Sequence, residues 1–404
     1  MPAGESTGGS RADALGWVLD ASHLARADDL AKLARGAAAR LGATDGRLYI
    51  VDYEQQVLVP FDGSEEPVPI DGTQAGDAFA SLDVIHAERA GEHVLFVPLL
   101  DGTERIGVLE LRFPAITDEA VAGSRQLGSL FAELVATRSV YGDLCERLRR
   151  RQSMTLAAEI QWGLLPPLTH TNRWGSISCI LGPCYDIGGD AFDYAVNGTT
   201  MHWAIFDAMG HGLDASLLAT VTIGAYRNAR RRAVGLEQTY VEISDTILAT
   251  FGDDRLVTGI LAELDLESGL LRRINAGHPA MVRVRAQGQP ETLPVPHRSL
   301  PFGIGTKPVV LELQLQPGDR LIAYTDGVTE MRNAEGEFFG AEGLVRFLQE
   351  QAAQGHAAPE ALRRLHQALF EHRDGRFHDD ATTLLVEWLG PERERIVFEG
   401  AVAP

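Results

Sequence analysis

Cysteine is scarce in this chain of 404 residues: Cys145, Cys179 and Cys184 are the only three, and no CxxC spacing joins any of them. A disulfide framework is thereby excluded, and a reducing compartment is the natural setting. Basic residues are also in deficit, 36 Lys and Arg against 56 Asp and Glu, for a formal charge of −20. Nucleic-acid binding needs a basic face, so no nucleic-acid partner is expected, and the excess of acid reads first as solubility. No apolar run approaches the roughly 18 residues of a membrane span. The first twenty residues carry acidic and Gly/Ser-rich segments where a secretory signal needs a continuous apolar stretch. The expectation is a cytoplasmic protein without a membrane partner. Neither a GxSxG with partners for an acyl-transfer triad nor a GxxxxGK[ST] phosphate loop occurs. What remains is ordinary globular composition, 45% hydrophobic and 23% charged. The length suggests two domains with a connector.

Periodicity divides the chain as follows. Residues 1–10 are Gly/Ser-rich and read as a disordered tail. Residues 11–139 read as a small α+β domain: a helical pattern over Arg11–Leu41, β-like runs at 47–51, 56–60, 93–99 and 105–113, then a helix. Asp101-Gly102 marks a hairpin turn between the last two runs. One long helix is expected from Thr117 to Leu165, with 140–165 as a coiled-coil linker, closed by Pro166-Pro167. Leu127, Leu130, Leu134, Thr137, Tyr141, Leu144 and Leu148 step by threes and fours, a heptad seam suited to pairing two copies of the chain. The other reading of that seam is a helix packed on its own domain. Residues 166–390 alternate many strands with grouped helices, which suggests sheet packed on sheet under helical layers. A charged tail occupies 391–404.

Chemistry concentrates in short acidic segments: Gly188-Gly189-Asp190, Asp207-Ala-Met-Gly210-His211-Gly212, Asn275-Ala-Gly277-His278-Pro279, Thr325-Asp326-Gly327 and His378-Asp379-Asp380. Asp207 ends the apolar run Met201–Phe206 ahead of a Gly-rich turn. There the Asp207 carboxylate and the Ala208 carbonyl can both reach one cation, or Asp207 can cap the following helix. Asp326 repeats the strand–Asp–Gly device. Asp379 and Asp380 are adjacent carboxylates that repel each other unless a cation intervenes, or else solvated loop residues. Carboxylates without a His- or Cys-rich set suit Mg²⁺ or Mn²⁺. His211 and His278 read as structural rather than ligating, and Cys179 and Cys184 as small buried hydrophobes.

In order, these segments resemble the SpoIIE/RsbU-type branch of the metal-dependent PPM serine/threonine phosphatases. Gln161-x-x-Leu164-Leu165-Pro166, Leu300-Pro301-Phe302-Gly303 and Gly336-Glu337-x-Phe339-Gly340 extend the resemblance over residues 155–389. It implies an αββα sandwich with two Mn²⁺ or Mg²⁺ ions at one edge. Asp207 would bridge both ions and the Ala208 carbonyl would bind one. Asp326 and Asp379, with Asp380 beside it, would complete the set, while Asp190 would hold waters on the metals. Catalysis would then rest on Asp190 and Asp207. No arginine matches the phosphate-gripping one of eukaryotic relatives. Val97-Pro98-Leu99, Ile106-Gly107-Val108-Leu109 and the Thr117 helix resemble a GAF sensor domain, with room for a small ligand or protein input.

The expected function is dephosphorylation of phosphoserine or phosphothreonine on a STAS-type anti-sigma-factor antagonist, in a partner-switching pathway. The N-terminal sensor would regulate it through a homodimeric helical linker. A non-catalytic partner-binding module of the same fold and a small-molecule phosphoesterase are the alternatives.

Overall fold

The computed structural model describes residues 11–391 apart from 64, 90, 286–288, 306 and 373–378. The two expected tails, 1–10 and 392–404, and His378 lie outside the described residues. The chain forms two compact units that meet in sequence at Gln152 and Ser153.

The first unit runs α1 (Arg11–Ser22), α2 (Leu30–Arg40), β1 (Asp45–Val51), β2 (Val57–Pro60), β3 (Val68–Pro69) and α3 (Gln74–Ser81). It continues through β4 (Ile85–Arg89), β5 (Glu92–Asp101), β6 (Glu104–Phe113), α4 (Asp118–Ser139) and α5 (Leu144–Arg149). Its six strands form one antiparallel sheet, ordered β3-β2-β1-β6-β5-β4. Alternate side chains serve opposite faces. Leu48, Ile50, Leu109 and Leu111 meet Leu30, Leu127 and Phe131 of the helices on one side. Tyr49, Val51 and Val108 meet Phe79 of α3 on the other. The expected α+β character and the Asp101–Gly102 hairpin are both present.

The single helix expected over Thr117–Leu165 is corrected to three: α4, α5 and, in the second unit, α6 (Leu156–Leu164). Thr117 starts α4 by accepting the Ala120 amide, and Thr155 starts α6 by accepting that of Ala158. Gly142, a poor helix former, falls in the first gap. The seam is correspondingly interrupted. Leu127 and Leu134 are buried in the core of their own unit, whereas Val140 and Tyr141 in the gap are exposed. Packing on the chain's own domain therefore accounts for the first half of the seam. The second half is held locally too: the Tyr53 amide donates to the Arg149 carbonyl at 3.1 Å, and the Arg149 guanidinium covers the Tyr53 ring.

After α6 the second unit runs β7 (Thr169–Asn172), β8 (Gly175–Gly182), β9 (Asp190–Asn197), β10 (Thr200–Ala208), α7 (Gly212–Arg231) and α8 (Leu236–Phe251). Then come β11 (Val257–Asp265), β12 (Leu270–Ala276), β13 (Val282–Val284), β14 (Glu291–Thr292), β15 (Leu311–Gln314) and β16 (Asp319–Tyr324). It ends with α9 (Asp326–Thr329), α10 (Gly340–Ala353), α11 (Ala358–His372) and β17 (Ala381–Trp388). Two antiparallel sheets result, β15-β12-β11-β10-β9 and β14-β13-β16-β17-β8-β7. Phe192, Trp203, Ile205 and Ile260 of the first pack against Ile177, Leu321, Leu384 and Val386 of the second. Phe206 and Leu261 on the outer face lie under Leu218, Tyr226 and Ile243 of α7 and α8. Ile322 and Leu385 lie under Leu344, Leu362 and Leu365 of α10 and α11. This is the αββα sandwich that the resemblance implied.

A buried carboxylate paired with two arginines locks the first layer. Asp193 on β9, 1% exposed, takes Arg227 and Arg230 of α7 on its two oxygens at 2.6 Å each. Arg227 also donates to the Leu164 carbonyl at the end of α6. Among the described residues no helix is long and apolar enough to cross a membrane.

Candidate active site

The acidic residues stand where the rows of the inter-sheet core run out at one edge of the sandwich. In β10, Met201, Trp203 and Ile205 enter that core, and Asp207 is the next residue with the same facing. In β9, Phe192 enters it and Asp190 precedes Phe192 by two; Asp190 and Asp207 are direct cross-strand partners. In β16, Leu321 and Ala323 lead to Thr325 on the same side. In β17, Leu384 leads back through Thr382 to Asp380. Four strands from two sheets therefore deliver polar groups to one edge. Asp326, the first residue of α9, and Asp379 are exposed at its rim, while Asp190 is 2% exposed.

Hydrogen bonds fix the deeper members. The Thr325 hydroxyl donates to Asp190 at 2.6 Å, and the Thr382 amide donates back to that hydroxyl oxygen at 2.9 Å. Asp380 turns its carboxylate on the glycine turn, where Oδ2 accepts the amides of Gly188, Gly189 and Asp190 at 2.9, 2.6 and 3.0 Å. Gln161 of α6 holds the same turn from behind by donating to the Asp190 carbonyl at 3.0 Å. Gly189 has a steric reason as well. A Cβ there would lie 2.4 Å from the Ala208 carbonyl oxygen, so only glycine lets the turn pass over it.

The electrostatics are strained in a way a cation would relieve. Burial, then the charges of Asp326, Asp379 and Asp380, push Asp207 up to about 7. Burial, then Asp380 and Asp207, hold Asp190 well above the carboxylate range. Asp326 is raised by burial and by Asp379. Asp380 is raised by burial, against which its three amide bonds act. Among the described residues no three His, Cys, Asp or Glu side chains converge closely enough to form a ready coordination shell. The donor set nonetheless fits hard divalent ions: carboxylates that repel one another around a common point, with a backbone carbonyl kept clear by a glycine. Asp207, Asp326, Asp379 and the Ala208 carbonyl are the groups available. Asp380, also an expected ligand, has three backbone amides on its carboxylate.

A cleft of about 310 Å³ opens beside these residues, lined in part by Gly188, Gly210, His211, Gly212, Asp379 and Asp380. His211 is exposed on its wall just before α7. His278 is fully buried, with Nδ1 2.9 Å from the Thr258 hydroxyl, and burial pushes its pKa down to about 3. Asn275 accepts the His278 amide and donates to the His278 carbonyl, so the Asn-Ala-Gly-His turn closes on itself. Thr258 in turn pairs across the strands with Asp207 and reaches its Oδ2 at 3.5 Å. Sequence reasoning passed over Thr258 and gave no role to Thr382 or to Thr325 as a support. The signal that finds Thr325 is its period-two relation to Leu321 and Ala323; nothing local marks Thr258.

Residues 197–389 match the family model described as Stage II sporulation protein E (SpoIIE). Asp207, Asp326, Asp379 and Asp380 fall inside that match, whereas Asp190 lies just before it and is tied to the rest by its pairing with Asp207. The chain is similar to Protein IcfG of Synechocystis sp., 25% identical over 273 residues, covering 58% of this chain and 41% of IcfG. It therefore spans less than half the length of that relative. It is also similar to Phosphoserine phosphatase RsbU of Bacillus subtilis, 21% identical over 238 residues, covering 58% of this chain and 70% of RsbU. A solved structure of the RsbU and RsbW domains of a Mycobacterium tuberculosis protein aligns with a TM-score of 0.48 at 21% identity, covering 56% of this chain and 63% of that one. The family model is thus matched across the acidic edge of an αββα sandwich, and residues 197–389 are a SpoIIE-type domain similar to PPM-type serine/threonine phosphatases.

Proposed function

We propose that the chain is a Mn²⁺- or Mg²⁺-dependent protein phosphatase that hydrolyses phosphoserine or phosphothreonine on a STAS-type anti-sigma-factor antagonist in a partner-switching pathway. The observation that carries this reading is the convergence of Asp190, Asp207, Asp326 and Asp379 on one edge beside an open cleft. The relative RsbU is by name a phosphoserine phosphatase, which supports the same substrate class.

In this reading Asp207, Asp326, Asp379 and the Ala208 carbonyl hold two divalent ions, which supply, when bound, a water of lowered pKa and positive charge against the phosphate. The remaining work belongs to the chain itself. Asp190, whose Oδ2 accepts the Thr325 hydroxyl, would orient water with its other oxygen. Asp380 keeps the Gly188–Asp190 turn in shape by holding its three amides. The His278–Thr258 pair steadies Asp207 from the neighbouring strands.

Regulation by the N-terminal unit, a GAF-like sensor in this proposal, would act through α6. Gln161 connects that helix to the turn that bears Asp190, so a rotation of α6 would move the turn. A small ligand or protein would supply the input, and a second copy of the chain would be the partner of the exposed Val140 and Tyr141.

The substrate class is tested by comparing turnover of a phosphoserine-bearing STAS-domain protein with that of nucleotides and simple phosphoesters, using the full chain in Mn²⁺. Catalytic efficiency at least about 100-fold higher on the phosphoprotein is expected, a difference of about 2.7 kcal/mol. Equal efficiency on nucleotides would sink the protein-phosphatase reading.

A further inference from the structure

The carboxylate edge leaves one requirement unmet. Bound ions would supply positive charge, but a phosphate dianion drawn into a cleft walled by Asp379 and Asp380 still lacks a cationic side chain to orient it. Two arginines of α7 do not serve, because Arg227 and Arg230 are committed to Asp193. Arg255, in the loop between α8 and β11, is differently placed. Its backbone is pinned: the Leu256 carbonyl accepts the Met209 amide at 3.2 Å, and the Arg255 carbonyl packs so closely on Gly303 that a Cβ there would lie 2.6 Å away. Its guanidinium stands beside Gly210, a wall residue of the cleft. A Cβ built on Gly210 would meet no heavy atom within 4 Å except Arg255 Nη1, at 3.9 Å. Gly210 has φ of +103°, a conformation that favours glycine, so position 210 itself puts no side chain between the guanidinium and this wall of the cleft.

The side chain is also available. Among the described residues its ion pair is with Asp214 at 3.7 Å, too long for a hydrogen bond, and Asp214 is itself 78% exposed. Exposed pairs of this kind contribute little. A planar guanidinium offers paired N–H donors that match two phosphate oxygens, a geometry lysine cannot reproduce.

We infer that Arg255 is the substrate-phosphate contact of this site, exchanging its loose pair with Asp214 for a two-pronged grip on the phosphoryl oxygens. The inference rests on the phosphatase reading above. It identifies a binding residue where the motif order offers none.

The test uses the full chain loaded with Mn²⁺ and two readouts. Inorganic phosphate titrated calorimetrically into Arg255→Ala is expected to bind at least tenfold more weakly than to wild type. The KM for a phosphoserine peptide is expected to rise at least tenfold. Arg255→Lys should recover part of both, Asp214→Ala should leave phosphate affinity unchanged or tighter, and Mn²⁺ affinity should stay within twofold throughout. Wild-type phosphate affinity in Arg255→Ala would overturn the inference, as would a loss confined to Mn²⁺ affinity or to folding by circular dichroism. A wild-type chain that binds phosphate through Arg255 yet never turns over the peptide would instead count against the phosphatase reading.

Discussion

Asp207→Asn is expected to lower phosphate release by roughly a thousandfold or more, equivalent to about 4 kcal/mol of transition-state stabilisation, while making the metal-free protein more stable. The two effects share one cause. Burial and the charges of Asp326, Asp379 and Asp380 lift Asp207 to about 7. Between the ordinary carboxylate pKa of about 4 and about 7, the folded chain therefore keeps a proton that the unfolded chain has lost. Stability from this group is fully present below the lower value and disappears as pH rises through the upper one. Asparagine carries no charge and escapes that loss. In a chelator at pH 7.5, the variant should melt roughly 2–8 °C above wild type, and the gap should close near pH 4. His278 and His366, buried neutral with pKa values pushed down to about 3 and about 4, weaken both proteins equally in acid, so the difference reports Asp207 together with Asp190, which its charge raises. Added Mn²⁺ should raise the melting temperature of wild type alone. Scanning calorimetry across pH decides the matter, and a variant less stable than wild type at pH 7.5 would contradict this account of the cluster.

The second large effect separates two neighbours. Asp380→Ala removes the acceptor of the Gly188, Gly189 and Asp190 amides. Leaving three donors of a tight turn unpaired, less the relief of one repelling charge, should cost roughly 2–4 kcal/mol by urea unfolding of the metal-free protein. Asp379 is exposed, and among the described residues its carboxylate accepts the neighbouring Asp380 amide. Asp379→Ala removes a charge that repels Asp207 and Asp326, so metal-free stability should fall by no more than about 0.5 kcal/mol and can rise above wild type, yet Mn²⁺ binding should weaken at least tenfold and activity more. Both variants lose turnover, but for opposite reasons. If Asp379→Ala were the destabilised one and Asp380→Ala kept its fold, the division of labour between the two residues would be reversed.

Much of the fold was legible because the elements that matter carry clean periodicity. The β-like runs at 47–51, 56–60, 93–99 and 105–113 fall on strands β1, β2, β5 and β6. The carboxylates were legible for a related reason: each follows or precedes an apolar run, and a strand's facing continues past its last core residue. Strand β8 escaped detection because every residue from Gly175 to Gly182 is buried, so neither face leaves a polar alternation to read. The break between α4 and α5 was hidden by leucines that keep a heptad rhythm across Gly142, although the chain there turns to dock on Tyr53. The role of Asp380 could not be read locally at all. Its amide partners come from a turn about 190 residues earlier in the chain.

The central claim is that this acidic edge works only with divalent ions. Phosphate release from a phosphoserine peptide should therefore be followed while Mn²⁺ is titrated into the metal-free full chain. Turnover should be absent without metal, rise with Mn²⁺ to saturation, and return to zero when a chelator is added. A chain that releases no phosphate at any concentration of Mn²⁺ or Mg²⁺, or one that releases it equally well in chelator, would contradict the claim.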